Sequence, residues 1–358
     1  MKFGNELKLL DVAEGSGTSM STVSRYFNRT KVSGMAKNSI ETYLRAHRME
    51  KYIVDEKEVS AGKKRRIGLL VPDLTSYTFT DISASVAREA ERRNYEVITL
   101  SFQGRKNYER QALRHFYETK VEGIIYSPIS YFDHDVYPEL RDLAGCPMVI
   151  VNRRNAIPGK IHIYEDNITA GYEATKYMLG LGRTRIAFML GSWQFPYDIR
   201  EMCEYLDRNE EMGGYVSIDR LVGYRKALRE AGIPFDPSLL VTSDWSNESA
   251  SRAAALLMGQ AGTDFDGFIG CSDMLAASMM NVLLEHGLSV PNDVSVIGWG
   301  NSPIATIVRP QMTTMLPNTK MLGTQAVVAL DRVIHGEPYT SPRIQVSIIP
   351  RNSTYKKE

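Results

Sequence analysis

The feature that most constrains the fold is a regular alternation of strand-like and helix-like segments between residues 67 and 350. Short apolar runs rich in β-branched residues recur, among them "RIGLLVPD", "PMVIVNR" and "DVSVIGWGN", and most are separated by amphipathic stretches such as "TDISASVAREAERRN". Strand followed by helix, repeated, predicts parallel sheets covered by helices. About ten such units exceed the usual size of one sheet, so we expect two adjacent, doubly wound α/β subdomains.

Charge separates a small head from this body. Residues 1–66 carry 14 Lys/Arg against 8 Asp/Glu, a balance of +6, whereas the rest of the chain has a balance of −5. A basic head on an acidic body suggests contact with nucleic acid, although a solubilising basic tail would give the same balance. Residues 53–66, "IVDEKEVSAGKKRR", are charged and poor in large apolar groups, which is typical of a linker. We therefore predict a small helical head at 1–52, a linker at 53–66 and an α/β body at 67–358.

The head contains two short helical patches separated by Gly-Ser-Gly-Thr-Ser, within "DVAEGSGTSMSTVSRYFN" (11–28). Ser19 is a good N-cap for the second helix, and Val23 and Phe27, four residues apart, are expected to pack inward. The other positions of this helix carry short or flexible groups that can reach phosphates and base edges in a DNA major groove. A capped helix hairpin on the surface is the alternative. A third amphipathic stretch, 39–46, would complete a three-helix unit.

The segment "DVA…GTSMSTVSR" closely resembles the helix-turn-helix signature of the lactose-repressor (LacI/GalR) family, D-V-A-x-x-A-G-V-S-x-x-T-V-S-R. The register is unbroken from Asp11 to Arg25. Ser16 and Thr18 replace the family's alanine and valine, and both are small. The resemblance implies that the second helix enters the major groove of DNA.

The same resemblance assigns roles along this helix. Ser19 would meet a phosphate, while Met20 and Ser21 would face base edges. Arg25 would read a base, since arginine is the usual bidentate partner of guanine. The predicted DNA-contacting residues are Ser19, Met20, Ser21, Thr22, Ser24, Arg25, Asn28 and Val59.

The linker departs from the family pattern. In LacI/GalR proteins it folds into a short hinge helix on DNA, with a leucine wedged into the minor groove. Here the corresponding stretch is "DEKEVSAG", and Val59 is the best candidate for the wedge. The three acidic residues of this stretch would lie unfavourably near phosphates, and the basic run 63–66 would compensate. An alternative interpretation is therefore a sugar sensor whose head binds DNA weakly or has lost DNA binding.

The body extends the resemblance over nearly the whole chain. Family landmarks occur in order as "IGLLVPD", "VEGIIYSP", "EDNITAGYEATKYMLGLGRTRIAFMLG", "PNDVSVIGWGNSPIA" and "RPQMTTM". The family core is similar to periplasmic sugar-binding proteins, in which two doubly wound subdomains close on a ligand. The resemblance implies a transcriptional regulator, and more specifically a repressor. A small effector in the cleft would change how the two heads of a homodimer meet operator DNA.

Residues that follow the apolar runs are the ligand-binding candidates, because ligands of open α/β sheets bind beyond the carboxyl ends of the strands. By the resemblance, Arg220 occupies the position of an arginine that holds the effector, and Trp245 that of an aromatic side chain that stacks on it. The alternatives are a surface ion pair for Arg220, a core position for Trp245 or Trp299, and a helix cap for Asp273. The predicted effector-binding residues are Thr78, Phe79, Asn152, Arg153, Arg220, Trp245, Asp273 and Trp299.

Two departures from the family pattern bear on the ligand. Ser272 precedes Asp273 where the family usually has Asn-Asp, and Gly300 replaces an aspartate that commonly grips two hydroxyls of a sugar. With that carboxylate missing beside Arg153 and Arg220, an anionic effector becomes an alternative to a neutral sugar. The effector class therefore stays open among sugars, sugar acids and sugar phosphates.

Other classes of protein find less support in the sequence. It contains no Walker loop, no Gly-x-Gly-x-x-Gly after the first strand and no His-Glu-x-x-His, so an α/β enzyme that used the cleft would lack a catalytic constellation. His134 lies between two aspartates in "YFDHDVY", where a solvated loop is favoured over a metal site, and we predict no metal and no cofactor. Three scattered cysteines, no signal peptide and no membrane-spanning run favour a cytoplasmic protein without a membrane partner.

Overall fold

The computed structural model separates the chain into two compact units, Met1–Lys64 and Arg65–Glu358. The first strand of the second unit begins at Arg65, two residues before the boundary expected from the sequence. The residues that the structure describes are 8–27, 32–53, 65–129, 143, 145–154, 156–157, 159–193, 199, 203–204, 206, 214–261 and 264–356.

The described part of the first unit is helical. Its elements are α1 (Leu9–Ser16), α2 (Met20–Phe27), α3 (Gly34–Ala46) and a short 3-10 helix, Glu50–Tyr52. α1 ends at Gly17, whose φ of +65° lies in the left-handed region that glycine adopts without strain. α3 begins five residues earlier than the amphipathic pattern predicts, because the hydroxyl of Ser33 accepts the N–H of Ala36 at 3.3 Å and caps the helix.

The interior of the head is a cluster of buried side chains from all three helices: Val12, Ala13, Val23, Tyr26, Ile40 and Leu44. Val23 packs inward, as predicted. Phe27 only partly meets the expectation: it packs half-buried against the cluster, while Tyr26 is 4% exposed. The Tyr26 hydroxyl donates to Glu41 of α3 at 3.4 Å, which gives the phenol a polar partner at the edge of the cluster.

The second unit alternates strands and helices along the chain. Its strands are β1 (Arg65–Val71), β2 (Tyr95–Ser101), β3 (Gly123–Tyr126), β4 (Met148–Val151), β5 (Ile161–Ile163), β6 (Ile186–Gly191), β7 (Leu240–Ser243), β8 (Gly267–Gly270), β9 (Ser295–Trp299), β10 (Thr313–Leu316) and β11 (Ser347–Ile349). Its helices are α4 (Tyr77–Arg92), α5 (Lys106–Thr119), α6 (Asn167–Gly180), α7 (Val216–Glu230), α8 (Asn247–Ala261), α9 (Asp273–Glu285), α10 (Ile304–Ile307) and α11 (Thr319–Ile334).

These strands form two sheets, which confirms the predicted pair of α/β subdomains. The first sheet has the order β2-β1-β3-β4-β5 and the second β11-β10-β9-β8-β6-β7. All pairings are parallel except that of β10 with the edge strand β11, which is antiparallel and departs from the expectation of parallel sheets. We call the first sheet with α4, α5 and α11 the first subdomain, because α11 packs on this sheet although it follows β10 in the chain. The second sheet with α6 to α10 is the second subdomain.

The chain passes between the subdomains three times, near residues 165, 318 and 344. Backbone and side-chain hydrogen bonds join the three crossover segments. The N–H of Asp166 donates to the carbonyl of Ile344 at 3.0 Å, and the N–H of Asn318 donates to the carboxylate of Glu165 at 2.5 Å. Glu165 is therefore part of the connection on which any movement of one subdomain against the other depends.

Helices α6 and α7 cross in close contact because glycine lies at the crossing on both. A Cβ atom at Gly171 would lie 2.1 Å from the carbonyl oxygen of Arg220, and one at Gly223 would lie 2.0 Å from that of Ile168. Real Cβ atoms do not approach backbone oxygens so closely, so a side chain at either glycine would push the helices apart. This crossing fixes the position of Arg220 relative to the start of α6.

We expect Gly171→Ala to lower the free energy of unfolding by about 1–3 kcal/mol, the usual cost of overpacking. Gly180→Ala, on the same helix, is the matched control, because a Cβ atom there meets nothing within 4 Å. Chemical unfolding followed by circular dichroism measures both variants. Equal stability of the two variants would contradict the tight crossing.

Candidate functional site

The structure places six of the eight predicted DNA-contacting residues on α2 or at its N-cap, outside the core of the head. Ser19, Met20, Ser21 and Arg25 are exposed, and Thr22 and Ser24 are half-exposed. The other two, Asn28 and Val59, lie outside the described residues. One side of α2 is thus buried against α1 and α3, and the other presents small polar groups and one arginine.

Hydrogen bonds order the first turn of this helix. The Ser19 hydroxyl accepts the N–H of Thr22 at 3.1 Å and also pairs with the hydroxyls of Ser21 and Thr22, both at 2.8 Å. One turn later, Nε of Arg25 donates to the carbonyl of Ser21 at 3.4 Å. Hydroxyl groups at a helix N-terminus can donate to phosphate oxygens, and the guanidinium of Arg25, in the last turn of α2, can donate to the acceptors of a guanine.

The body contains a cavity between its two subdomains, at the carboxyl ends of strands from both sheets. The space between its walls amounts to about 540 Å³, part of which is open to solvent. Its lining residues are Ser76, Thr78, Phe79, Asn152, Arg153, Trp193, Val216, Arg220, Trp245, Cys271, Ser272 and Trp299. Seven of the eight predicted effector-binding residues are among them, and Asp273 is not.

Asp273 instead supports the loop after β9. Its buried carboxylate accepts the N–H of Ser302 at 2.6 Å and the hydroxyl of Thr314 at 2.5 Å. Burial raises the pKa of Asp273, and these two donors oppose the shift. The cap of α9 is Ser272, whose hydroxyl accepts the N–H of Leu275 at 3.2 Å. Asp273 therefore acts on the cavity through the position of this loop and does not contact its interior.

Arg220 is a deeply enclosed charged group of the cavity wall. Its side chain comes from the first turns of α7, and the residue is 6% exposed, which does not match a surface ion pair. Nε donates to the side-chain oxygen of Asn167 at 2.9 Å, and Nη1 donates to the carbonyl of Cys271 at 2.8 Å. The guanidinium carbon lies 3.9 Å from the ring centroid of Trp299, a cation–π distance. These contacts hold the arginine in one orientation without neutralising it.

Arg153 lies on the same wall, directly after β4. Its Nε donates to the carbonyl of Pro128 at 2.9 Å, and Nη1 donates to the carbonyl of Asn152 at 2.8 Å. Its guanidinium carbon also lies 4.5 Å from the ring centroid of Tyr215. The residue is 3% exposed. The cavity therefore receives one buried guanidinium from each subdomain.

Trp245 and Trp299 belong to the aromatic part of this wall, together with Phe79 and Trp193. Trp245 has a φ of +74°, which is unfavourable for a bulky residue, and its ring packs on Gly191, where a Cβ atom would lie 2.4 Å away. Strained backbone of this kind costs about 1–3 kcal/mol and clusters at binding sites. Trp299 belongs to the buried core of the second subdomain and also reaches the cavity. Its indole nitrogen is buried and has no hydrogen-bond partner among the described residues.

Sequence reasoning missed Trp193. It follows β6 of the second subdomain, yet its ring packs against the first subdomain, where a Cβ atom at Gly104 would lie 2.5 Å from it. The rule that selected Asn152, that ligands contact residues just beyond strand ends, applies equally to Trp193. The irregular stretch 192–216 drew attention away from it, and much of that stretch lies outside the described residues.

Glu165, at the crossover between the subdomains, has a side chain that titrates near neutral pH. Burial raises the pKa of Glu165 from 4.5 to about 7, while attraction to Arg220 and the N–H of Asn318 oppose the shift. In the unfolded chain this carboxyl releases its proton near pH 4.5. Between pH 4.5 and about 7 the folded state therefore binds more protons than the unfolded state. Stability from this group is present below about pH 4.5 and is lost as the pH rises toward 7.

We therefore expect Glu165→Gln to gain stability relative to the wild type as the pH rises from 5 to 8, by on the order of 3 kcal/mol in total. Glutamine is isosteric and its amide oxygen can still accept the N–H of Asn318. Urea unfolding at both pH values measures the difference. Glu248→Gln, an exposed position on α8, is the control for general effects of charge removal. The interpretation fails if the two variants show the same dependence on pH.

Within the described part of the chain, no group of three or more His, Cys, Asp or Glu side chains is arranged to hold a metal ion. His134 lies outside the described residues, so its assignment stays a prediction. None of the described helices combines the length and hydropathy of a membrane-spanning segment.

A helical head with a polar α2, together with a body whose two subdomains enclose a cationic and aromatic cavity, defines a DNA-binding regulator with a ligand sensor. A family model for the periplasmic binding protein-like domain matches residues 175–354. The chain belongs to the LacI family of helix-turn-helix transcriptional regulators, with a periplasmic binding protein-like body, as the sequence resemblance predicted. It is a transcriptional regulator and not an enzyme.

Individual relatives match along almost the entire chain. The HTH-type transcriptional regulator DegA of Bacillus subtilis (strain 168) is 25% identical over 352 residues, 97% of each chain. The HTH-type transcriptional regulator RegA of Clostridium saccharobutylicum is 27% identical over 347 residues, 96% of this chain and 98% of the relative. A solved transcriptional regulator CelR–cellobiose complex has a TM-score of 0.69 at 23% identity, and covers 97% of this chain and 100% of its own.

Proposed function

We propose that this chain is a cytoplasmic repressor that binds operator DNA as a homodimer and changes its operator affinity when a small carbohydrate-type effector occupies the cavity. The observation that carries the proposal is the convergence of Arg153 and Arg220, one from each subdomain, on a cavity that also has an aromatic wall. A ligand held by both would bias the relative position of the subdomains, because it contacts both at once.

The head supports the DNA-binding part of the proposal. A helix that enters the major groove needs small side chains on its outer face, so that its backbone can approach the bases. Ser21 and Ser24 satisfy this requirement, and Arg25 adds a donor pair that matches the acceptors of guanine. Met20, which is 53% exposed, offers an apolar contact for a thymine methyl group.

Exposed apolar residues on neighbouring helices support the homodimer. α8 packs against α9, and α9 packs against α10. Leu256 on α8 is 55% exposed, Leu284 on α9 is 74% exposed and Ile307 on α10 is 71% exposed. Large apolar side chains exposed on adjacent elements are typical of an interaction surface. A second copy of the chain is the partner that also supplies the second head needed to read two half-sites.

Selection from a randomised duplex pool by the full chain, with and without sugars, sugar acids and sugar phosphates, tests the proposal. We expect enrichment of a pseudo-palindrome whose half-sites lie about one helical turn apart, and a change in enrichment with one ligand. A single half-site would contradict the homodimer. No enriched sequence, with tryptophan fluorescence still reporting a ligand, would indicate a sensor that has lost DNA binding.

A further inference from the structure

An ion pair joins the two subdomains directly, apart from the crossover segments. Arg154 lies in the loop after β4 of the first subdomain, and Asp219 lies in the first turn of α7 in the second. Nη2 of Arg154 donates to Oδ1 of Asp219 at 2.9 Å, and Nε donates to Oδ2 at 3.4 Å. A guanidinium and a carboxylate that pair through two hydrogen bonds form a strong and directional contact. The two subdomains are therefore connected at this point by side chains alone.

Burial makes this pair more consequential than an ion pair on the surface. The side chain of Asp219 is 4% exposed and that of Arg154 is 18% exposed. Solvent and salt weaken exposed pairs, which contribute little to stability, but they screen a buried pair much less. Removal of one partner from a buried pair is costly because the remaining charge loses compensation that water does not replace. Movement of one subdomain away from the other breaks this pair in the same way.

Asp219 also attracts the arginines of the cavity wall. Burial raises the pKa of Asp219, while its hydrogen bond with Arg154 and the charges of Arg154, Arg220 and Arg153 oppose the shift. Arg220 is its neighbour on α7 and moves with it. Arg153 and Arg154 belong to the other subdomain, so opening of the cavity separates Asp219 from two of these three cations. The attraction therefore favours the arrangement in which the subdomains are close.

Contacts without an ionic partner cross between the subdomains beside this pair. The N–H of Arg154 donates to the carbonyl of Gly214 at 3.4 Å, and the guanidinium of Arg153 lies over the ring of Tyr215. The ring of Trp193 packs against the first subdomain at Gly104. All of these contacts join protein groups to protein groups. They can therefore form whether or not a ligand occupies the cavity.

We propose that Arg154 and Asp219 form a latch between the subdomains, which holds the two walls of the cavity together through protein contacts alone and must break for the cavity to open. The inference goes beyond the proposed function and concerns the body only. Its consequence for a ligand is thermodynamic. The fraction of chains whose walls are already aligned sets the apparent affinity of any molecule that binds between them.

Intrinsic fluorescence of the full chain tests the latch without a ligand. All three tryptophans of the chain, Trp193, Trp245 and Trp299, line the cavity between the subdomains. Acrylamide quenches an indole ring that it can reach, so the quenching constant of tryptophan emission reports how open the cavity is. The measurement needs no label, and the same titration serves the wild type and every variant.

The informative variants are Asp219→Asn, Arg154→Met and the two combined. Asparagine is isosteric with aspartate, and methionine keeps much of the length of the arginine stem. We expect either single substitution to raise the quenching constant by about twofold or more, because each removes one half of the same contact and shifts the population toward the open cavity. The double variant should be quenched no more than the more strongly affected single variant, as for two residues that act only through each other.

Glu230→Gln is the matched control on the same helix. Its carboxylate accepts the hydroxyl of Tyr172 at 2.6 Å, a contact between α7 and α6 within the second subdomain. We expect its quenching to equal that of the wild type. The latch is overturned if neither single variant differs from this control, if only one of them does, or if the effects of the two substitutions add in the double variant.

A milder variant keeps the test decisive if removal of a charge prevents folding, which circular dichroism detects. Arg154→Lys retains the charge and loses the planar fork that pairs with both carboxylate oxygens. We expect its quenching to exceed that of the wild type, and unchanged quenching then overturns the latch. The outcome is independent of the proposed function. Failure to enrich an operator would remove the DNA-binding role and leave the latch intact, whereas unchanged quenching would remove the latch and leave the regulator intact.

Discussion

Replacement of Arg220 by methionine is expected to weaken effector binding by about 100-fold and to remove the ligand response of operator binding. Each hydrogen bond to a charged group contributes about 1.5–3 kcal/mol, and two lost bonds correspond to a change of about 100-fold or more. Methionine keeps an apolar contact with the ring of Trp299, so the loss reports the charge and the donors. Fluorescence titration follows binding directly, since Trp245 and Trp299 line the cavity.

Arg225→Met is the matched control for this experiment. Arg225 lies on the same helix, α7, and its guanidinium carbon lies 4.7 Å from the ring centroid of Phe235, away from the ligand cavity. Arg220→Met also leaves the oxygens of Asn167 and Cys271 without their donor, so a lower Tm is expected, and titration is performed where both variants are folded. If the two variants bind the effector equally well, Arg220 does not hold it.

Replacement of Arg25 by alanine is expected to weaken specific operator binding by about 5–150-fold, the value of one bidentate contact with a base. Binding to random duplex should change far less, because contacts with phosphates supply most of that affinity. The variant should also relax the preference at one base position of each half-site. Equilibrium titration of labelled operator and of random duplex at a fixed salt concentration measures both effects.

Arg45→Ala provides the control for the loss of positive charge in the head. Arg45 lies on α3, with its side chain 63% exposed, and pairs with Glu41 at 3.5 Å. We expect its removal to reduce binding to operator and random duplex by a similar, small factor. An Arg25 variant that behaved in the same way would indicate a phosphate contact and not base recognition.

The architecture of the body could be predicted from the alternation of apolar runs and amphipathic stretches, since this pattern has few compatible folds. The antiparallel edge strand β11 could not, because strand direction at an edge depends on where the chain returns after α11. The return itself is a long-range event: α11 packs on the first sheet although the preceding strand, β10, belongs to the second. Local pattern carries no information on such a crossing.

The rule that ligands bind just beyond the carboxyl ends of parallel strands predicted much of the cavity wall, because the strands of a parallel sheet end at the same edge. That rule could not separate Asp273 from its neighbours, since the direction of a side chain at the start of a helix depends on nearby donors, here Ser302 and Thr314. Nor could it indicate Glu165, whose importance comes from meeting Asn318, far away in sequence. Motif spacing identified α2, but the choice between Tyr26 and Phe27 as its buried aromatic depended on α3.

Coupling between the ligand cavity and the DNA-binding head is measured most directly as the operator affinity of the wild-type chain, with and without saturating effector at one salt concentration. We expect ligand binding to change the operator Kd by at least tenfold, and Arg220→Met to abolish the change. An operator Kd that is the same with and without a ligand shown to occupy the cavity would contradict the coupling of the sensor to the DNA-binding head.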